Sequence, residues 1–486
     1  AEITDMQSSS ASKSSLAPYL QVAPLTLVLL MFFAVPVALV VVVSFFRYQM
    51  LVGIVADFTF RNYVDLLSNP TTWSLYYSTV KFTLIVLAIT FVLGFWIAYF
   101  LVFHVRNLLV AIGLFLVCTV PFWTSNIIRM ISWRPVLGKE GLINSALLNI
   151  GVVDQPLEWL LFSDFSVVVA YVHLFTLFMI VPIFNAMARI DKSLLEAARD
   201  AGATRWGVVW NIVLPLSKTG IALGTLFVVT LVMGDFFVVT VMSGGLSGSA
   251  TSGIFNDLQF LNYPRAAANA VILLIVVLLI AVSIFRLVDV RKELVREMSA
   301  AQSYGPRPWT FYVLATLFTL FVIFLYGPMI AVLVLSFQGP SASLVFPLRD
   351  PSLMWFDELF TPRRTGDVVG AFNRSLPLAV FVMILTVLVS VTAGFAFRRR
   401  FRGSTAIFYM AIASLIVPGL VLSIGILVTF RYLGLQASWY TSALGANLSW
   451  SRPFGLLIMF AVLRRLRDRR RRQRFEGRPA KGQQGR

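Results

Sequence analysis

"PLTLVLLMFFAVPVALVVVVSFF", residues 24–46, runs for 23 positions without an Asp, Glu, Lys or Arg. A helix needs about 20 mostly apolar residues to cross roughly 30 Å of hydrocarbon, so the stretch predicts a membrane span. It lacks a small-residue cleavage site and is too long for a signal-peptide core, which predicts a retained signal anchor. Comparable runs recur at 80–103, 108–128, 166–187, 220–243 and 269–288, and again at 310–337, 376–397 and 405–428. A final run, 453–463, is short for a crossing. The expected fold class is an all-α polytopic membrane protein.

Composition agrees. Of 486 residues, 58% are hydrophobic and only 13% charged, outside the usual range of soluble domains. A single cysteine, Cys118, excludes an internal disulfide framework and cysteine-based metal clusters. The two histidines, His104 and His173, are not at metal-ligand spacing. The formal charge of +18 would suggest nucleic acid in a soluble protein, but half of it is local. Residues 464–486 carry eleven Arg or Lys against two acids. No nucleic-acid partner is expected.

Lys and Arg in the short loops set the orientation. Arg106, the cluster from Arg189 to Lys218, the cluster from Arg286 to Arg307, and Arg398, Arg399, Arg400 and Arg402 fall on one side. That side is expected to be cytoplasmic, with the N-terminus, and the lipid bilayer to be a partner. Stretches 47–79, 129–165, 244–268, 338–375 and 429–452 then face outward.

The halves echo each other. Pro36 stands eight residues before Ser44-Phe45, as Pro328 does before Ser336-Phe337. Ser78 stands 43 residues before Pro121, as Ser375 does before Pro418, and both prolines follow valine. A duplicated unit follows, as is common among transporters. The expected segments are an N-terminal tail (1–23), a six-span unit (24–288), a linker (289–309), an incomplete second unit (310–463) and a basic tail (464–486).

One polar stretch interrupts the first half: "LLEAARDAGATRWGVVWNIVLP", residues 194–215. Ser193 and Glu196 have S-x-x-E spacing, which predicts a helix capped by Ser193. Gly202 permits a turn, Thr204 can cap again, and Trp206, Val209, Trp210 and Val213 recur at helical spacing. Pro215 is expected to close the element. The reading is helix, turn, helix on the cytoplasmic face.

At these residues the chain resembles the permease subunits of binding-protein-dependent ABC importers. Glu196-Ala197-Ala198, Gly202, Ile212 and Leu214-Pro215 reproduce their EAA loop at its defining positions. The resemblance implies a type I ABC importer transmembrane domain in the bacterial inner membrane. It also implies that 194–215 is the coupling helix of the ATPase-coupling loop, docking in a separate ATPase subunit: Glu196 faces basic groups there, Ala197 and Ala198 permit close approach, and Gly202 makes the turn. No G-x-x-x-x-G-K-[ST] stretch occurs, so no cofactor is expected in this chain. ATP and magnesium would belong to the partner ATPase, and the chain itself is not expected to be an enzyme. Further partners implied are a second permease subunit or copy and a periplasmic substrate-binding protein.

"MGDFFVVTVMSGG" (233–245) and "DLQFLNYPRAAANAVIL" (257–273) resemble the B-type permease of the spermidine/putrescine branch, and "SWYTSALGANLSWSRPFGLLIMFAV" (438–462) the start of its C-type companion. The substrate so implied is a polyamine, with ferric iron or sulfate as alternatives. Asp235, inside the fifth run, must face protein or a water-filled path, since an ionised carboxylate at the bilayer centre costs about 2.5–3.5 kcal/mol. It is a substrate-pathway candidate, or else an interhelical hydrogen-bonding group. His173, the second substrate-pathway candidate, is read chiefly as an interhelical donor, with a proton relay as alternative. Aromatics such as Trp73, Trp123 and Trp159 suit an interfacial belt better than an ammonium cage.

Aligning "AYVH" (170–173) with "GAN" (445–447) projects a second EAA glutamate near position 470, where Arg470 stands. The tail is then a lipid-binding charge run, a nucleic-acid arm, or an out-of-frame or truncated end. The last is favoured because the break falls within a recognisable repeat. Two rival classes remain: an ion-coupled secondary transporter, which leaves the EAA spacing without a reason, and a membrane enzyme, which lacks a clustered His, Asp or Glu constellation.

Overall fold

The computed structural model describes residues 16–49, 52–287, 309–340, 346–361, 366–398, 401–449, 451, 455–456 and 459. Almost all of the linker, most of the candidate run 453–463, the tail and position 470 lie outside the described residues.

The chain is helical, as its apolar runs require. The longer elements are α1 (Ala17–Val43), α2 (Arg61–Ser68), α3 (Pro70–His104), α4 (Leu108–Trp123), α5 (Asp164–Met187), α6 (Lys192–Asp200), α7 (Arg205–Leu216) and α8 (Lys218–Gly234). They continue with α9 (Phe237–Met242), α10 (Ala250–Gln259), α11 (Tyr263–Leu287), α12 (Trp309–Leu335), α13 (Met354–Glu358), α14 (Val368–Phe397), α15 (Ser404–Ile416) and α16 (Gly419–Tyr432). A short antiparallel hairpin, β1 (Arg47–Gln49) with β2 (Gly53–Val55), is the one strand pair among the described residues. Among the described residues, six helices are long and apolar enough to cross a membrane unbroken: α1, α3, α5, α11, α12 and α14.

Among the described residues, three helix pairs are sharply bent. Between α4 and the short helices of 126–149 the axis turns by 96°, between α7 and α8 by 67°, and between α15 and α16 by 108°. Proline explains the first and third. Val120-Pro121 opens a 3₁₀ turn at the end of α4, and Val417-Pro418 separates α15 from α16. A proline gives no amide to the ladder and biases its predecessor away from the helical region. The two prolines paired by the 43-residue spacing therefore produce the same local event.

Two further prolines, Pro36 in α1 and Pro215 in α7, do not end the helix at the preceding residue. Pro36 follows a π-helical turn at Leu30–Ala34, and Pro215 follows one at Val209–Val213. Opening the ladder to i→i−5 just ahead of a residue that cannot donate keeps the helix running. The expected stop at Pro215 is thereby corrected: the helix passes through to Leu216 and breaks at Ser217.

Contacts group the chain into two units that cut across the sequence repeats. One joins 1–39 with 369–415 and 422–486; the other holds 40–368 and 416–421. Most of α1 thus packs with helices from the second half, and α12, which opens the second half, packs with the first.

In the larger unit α3, α5 and α8 form the core, with Tyr171, Phe82, Ile97, Met179 and Ile183 at most 1% exposed. Small residues let the helices close. A Cβ on Gly224 would meet Met179 Sδ at 2.6 Å, one on Gly94 would meet Met179 Cγ at 2.7 Å, and one on Gly220 would strike the Pro182 carbonyl. Without a water-driven hydrophobic force in lipid, such close backbone approach is what drives span packing.

Candidate functional site

The polar interruption folds as two helices joined by a tight turn, with one change at its start. Asp191, not Ser193, caps α6, its carboxylate accepting from the Ser193 amide at 3.0 Å. Asp caps at least as well as Ser, and starting two residues earlier adds helical hydrogen bonds. Glu196 is consequently not drawn into a capping box. It is exposed and forms no hydrogen bond or ion pair among the described residues.

The turn is set by Gly202 at φ +85°, a conformation costing an L side chain roughly 1–2 kcal/mol. Its amide donates to Arg199 O at 2.9 Å and the Ala203 amide to Ala198 O at 2.9 Å, the paired bonds of a Schellman end. Thr204 then caps α7, accepting from the Gly207 amide at 3.1 Å, as its position predicted. The apolar stripe splits into two faces. Val208, Val209 and Val213 are buried in the core, and Ala198, Ala203 and Leu214 pack against it. Trp206 and Trp210 each remain 60% exposed, with Trp206 edge-on to Trp96 of α3 at 5.7 Å. Ala197 is exposed, Ile212 half-buried and Pro215 exposed. The result is an exposed helical elbow on a rigid apolar footing, joined through the bend at Ser217 to a core helix.

Asp235 lies elsewhere, at the far end of α8. The expected unbroken fifth span is interrupted there: α8 ends at Gly234, Asp235 is extended (φ −98°, ψ 132°), and α9 begins at Phe237. Its Oδ1 accepts from the Val238 amide at 2.8 Å and faces the Tyr171 hydroxyl at 3.3 Å. Its backbone carbonyl accepts from Thr251 Oγ1 at 2.7 Å. The carboxylate is thus a helix cap and interhelical acceptor at a break in the membrane. Pro418 lies beside that break, where a Cβ on Gly234 would approach it to 3.3 Å.

His173 sits two residues beyond Tyr171 on α5, and residues two apart do not share a helix face. The structure therefore does not bring His173 and Asp235 together. His173 Nδ1 accepts from Trp133 Nε1 at 2.7 Å, which leaves the ring proton on Nε2 in the neutral form. The expected donor role is realised as an acceptor. Beside it, Phe324 of α12 stands 5.6 Å from the imidazole and 5.1 Å from Trp133. Neither Asp235 nor His173 touches the elbow: α8, 17 residues long, separates Asp235 from it by about 25 Å.

Several structured residues carried no signal in one dimension. Arg129 is buried at 2% exposure, its guanidinium bonding Asn126 and lying 5.9 Å from the Phe122 ring. Three outward cations meet acids: Lys81 pairs with Asp164 at 2.5 Å, Lys139 with Glu158 at 2.7 Å and Arg265 with Asp257 at 3.5 Å. Burial pushes the Asp257 carboxyl up to about 6 despite Arg265. Among the described residues no group of three His, Cys, Asp or Glu could hold a metal.

Residues 90–294 match the family described as binding-protein-dependent transport system inner membrane component. The spermidine/putrescine transport system permease protein PotB of Escherichia coli (strain K12) is 36% identical over 225 residues, covering 45% of this chain and 78% of that protein. The osmoprotective compounds uptake permease protein GgtC of Synechocystis sp. is 27% identical over 285 residues, covering 56% and 99%. A solved bacterial alginate ABC transporter, in complex with an alginate pentasaccharide-bound periplasmic protein, superposes with a TM-score of 0.47 at 18% identity, covering 55% of this chain and 92% of that one. With PotB matched at 36% identity over 78% of its length, the chain belongs to the inner-membrane permease components of binding-protein-dependent transport systems.

Proposed function

We propose that this chain is the membrane-spanning part of an ATP-driven importer and that the elbow of α6 and α7 receives force from a separate ATPase. The observation carrying this reading is Glu196: exposed, its side chain without a partner among the described residues, on a helix whose other side is fixed to the core through Ala198 and Leu195. A push on α6 passes through the Gly202 turn and the valines of α7 to the bend at Ser217 and into α8. That helix ends at the Asp235 break, so displacement at the elbow alters the membrane interior through one rigid element. ATP and magnesium bind the partner, and this chain contributes position and movement. The N-terminus and the elbow lie on the cytoplasmic side, following the distribution of Lys and Arg.

The substrate we propose is a polyamine, supported by the similarity to PotB, delivered by a periplasmic binding protein to the outward loops. A second permease unit completes the pathway, which runs along the Asp235 break where Tyr171, Thr251 and Pro418 converge. His173 stands outside it, as a packing group.

Co-purification tests the coupling. Glu196→Lys reverses the charge, and Gly202→Pro demands φ near −65° where the chain has +85°. Both variants should lose the ATPase on affinity purification while the permease still elutes as a monodisperse species. Retention of ATPase and of transport by both would overturn the reading. Uptake of labelled putrescine and spermidine, against ferric iron and sulfate, tests the substrate: saturable polyamine uptake supports it, and uptake of another solute alone rejects it.

A further inference from the structure

We propose that the outer face of α7, formed by Arg205, Trp206 and Trp210 with Lys218 just beyond, seats anionic phospholipid headgroups of the cytoplasmic leaflet. The inference goes beyond the coupling role and relies only on the elbow lying on the cytoplasmic side.

Charge gives the first argument. On the outward side, Arg47, Arg61, Lys81, Lys139 and Arg265 each find an acid in the chain, and Arg129 and Arg134 lie over the Phe122 and Phe162 rings. On the inward side, Arg106, Arg199, Arg205 and Lys218 are exposed and form no ion pair among the described residues. The acids of the elbow, Glu196 and Asp200, belong to α6, and no acid occurs between 201 and 234. The face of α7 is therefore purely cationic, and its complement is an anion outside the chain.

Aromatic placement identifies that anion's source. Trp206 and Trp210 are four residues apart, one turn of a helix, and equally exposed at 60%. Trp206 rests on Trp96 near the end of α3, and Arg205 lies within electrostatic reach of Tyr99 and His104, the last turns of that span. The face thus stands at the level where a transmembrane helix leaves the hydrocarbon. Indoles collect at that level, with an apolar ring toward the chains and an N–H toward the headgroups. A short helix with valines on one side and Arg205, Trp206 and Trp210 on the other, followed by Lys218 at the start of α8, suits the interface, and the cytoplasmic leaflet supplies the negative charge. An ATPase groove receiving Glu196 needs basic groups, the wrong sign for Arg205 and Lys218.

The test uses the full-length chain in vesicles of phosphatidylcholine containing phosphatidylglycerol. Fluorescence of the wild type minus that of Trp206→Phe/Trp210→Phe isolates these two indoles from the other nine tryptophans. The difference signal should be quenched by dibrominated phosphatidylglycerol more than by dibrominated phosphatidylcholine and be shielded from aqueous acrylamide. Arg205→Gln/Lys218→Gln keeps both indoles and should weaken the preference for the anionic lipid by roughly fivefold per cation removed. Gel filtration of each variant verifies that it folds. Full quenching by acrylamide with none by brominated lipid overturns the proposal. Shielding that arises only on adding the ATPase overturns it as well, by assigning the face to the protein interface. Co-elution of the Glu196→Lys variant is read separately, so failure of the lipid seat and failure of the coupling role are distinguishable.

Discussion

Helices α1 and α12 open the two halves of the sequence and are built alike, yet each docks with helices from the other half. Both carry phenylalanine four residues before proline, Phe32 before Pro36 and Phe324 before Pro328. Both end on a serine that bonds back to the third preceding carbonyl at 2.6 Å, Ser44 to Val41 and Ser336 to Leu333. Beyond each, the following phenylalanine carbonyl accepts a returning amide, Phe45 from Thr59 at 2.7 Å and Phe337 from Ser352 at 2.8 Å. The docks differ. Phe32 lies where a side chain on Gly445 would be, its carbonyl accepts from Ser449 Oγ at 3.0 Å, and Pro36 covers Gly425. Phe324 instead meets the Trp133 and His173 rings, and Tyr326 donates to the Val117 carbonyl at 2.8 Å. A duplicated span can keep its own termini while its partners diverge, because the terminus is encoded locally and the dock is not. Pro36 itself supplies a reason for the Ser449 bond. It cannot donate to Phe32 O, so the hydroxyl satisfies a carbonyl that the helix leaves free.

The comparison can be broken most directly at Gly445. Gly445→Leu places its branch in the Phe32 ring and should destabilise the α1 dock by about 1–3 kcal/mol, the usual cost of overpacking. Limited proteolysis near α1 would detect this, and an unchanged pattern would show that α1 does not pack there. Gly224→Val, against Met179 in the core of the larger unit, should cost a similar amount without exposing α1. Different cleavage sites in the two variants would separate the units.

Smaller changes sharpen the contrast between the docks. Trp133→Phe keeps the ring beside Phe324 but leaves His173 Nδ1 without its donor, at about 1–2 kcal/mol. Ser449→Ala should cost about 0.6 kcal/mol, the average for interhelical hydrogen bonds in membranes. Thermal unfolding in detergent would rank them, and the reverse order would contradict the asymmetry. Last, Asp257 marks the larger unit alone. Its folded carboxyl titrates near 6 and its free form near 3.8, so the folded state holds the proton more tightly. The stability contributed by Asp257 should be greatest below about 3.8 and be lost as pH rises through about 6. Asp257→Asn should flatten that slope.

How much could be read in advance depended on range. Spans longer than the apolar run came from caps outside it: α3 starts at Pro70 because Asn69 accepts from the Thr71 amide at 2.9 Å. The Gly202 turn and the Thr204 cap were legible because each depends on a residue and its immediate neighbours. Asp191 was missed in favour of Ser193, two acceptable caps that only the fold could separate. The split of α7 into a valine face and a tryptophan face was illegible, since all four residues satisfy the same periodicity.

By itself the sequence determined that the chain crosses a membrane repeatedly, that short proline and serine spacings recur in its two halves, and that 194–215 is a polar elbow with a turn at Gly202. Hydropathy, proline and glycine act over one or two helical turns, and their effects survive whatever the helices touch. Only the tertiary structure decided that α1 and α12 exchange halves, that Asp235 caps a break bonded by Tyr171 and Thr251, and which face of α7 stays bare. Those outcomes rest on contacts between residues up to 417 positions apart, as between Phe32 and Ser449, where apolar spans offer many equivalent faces and shape alone selects among them.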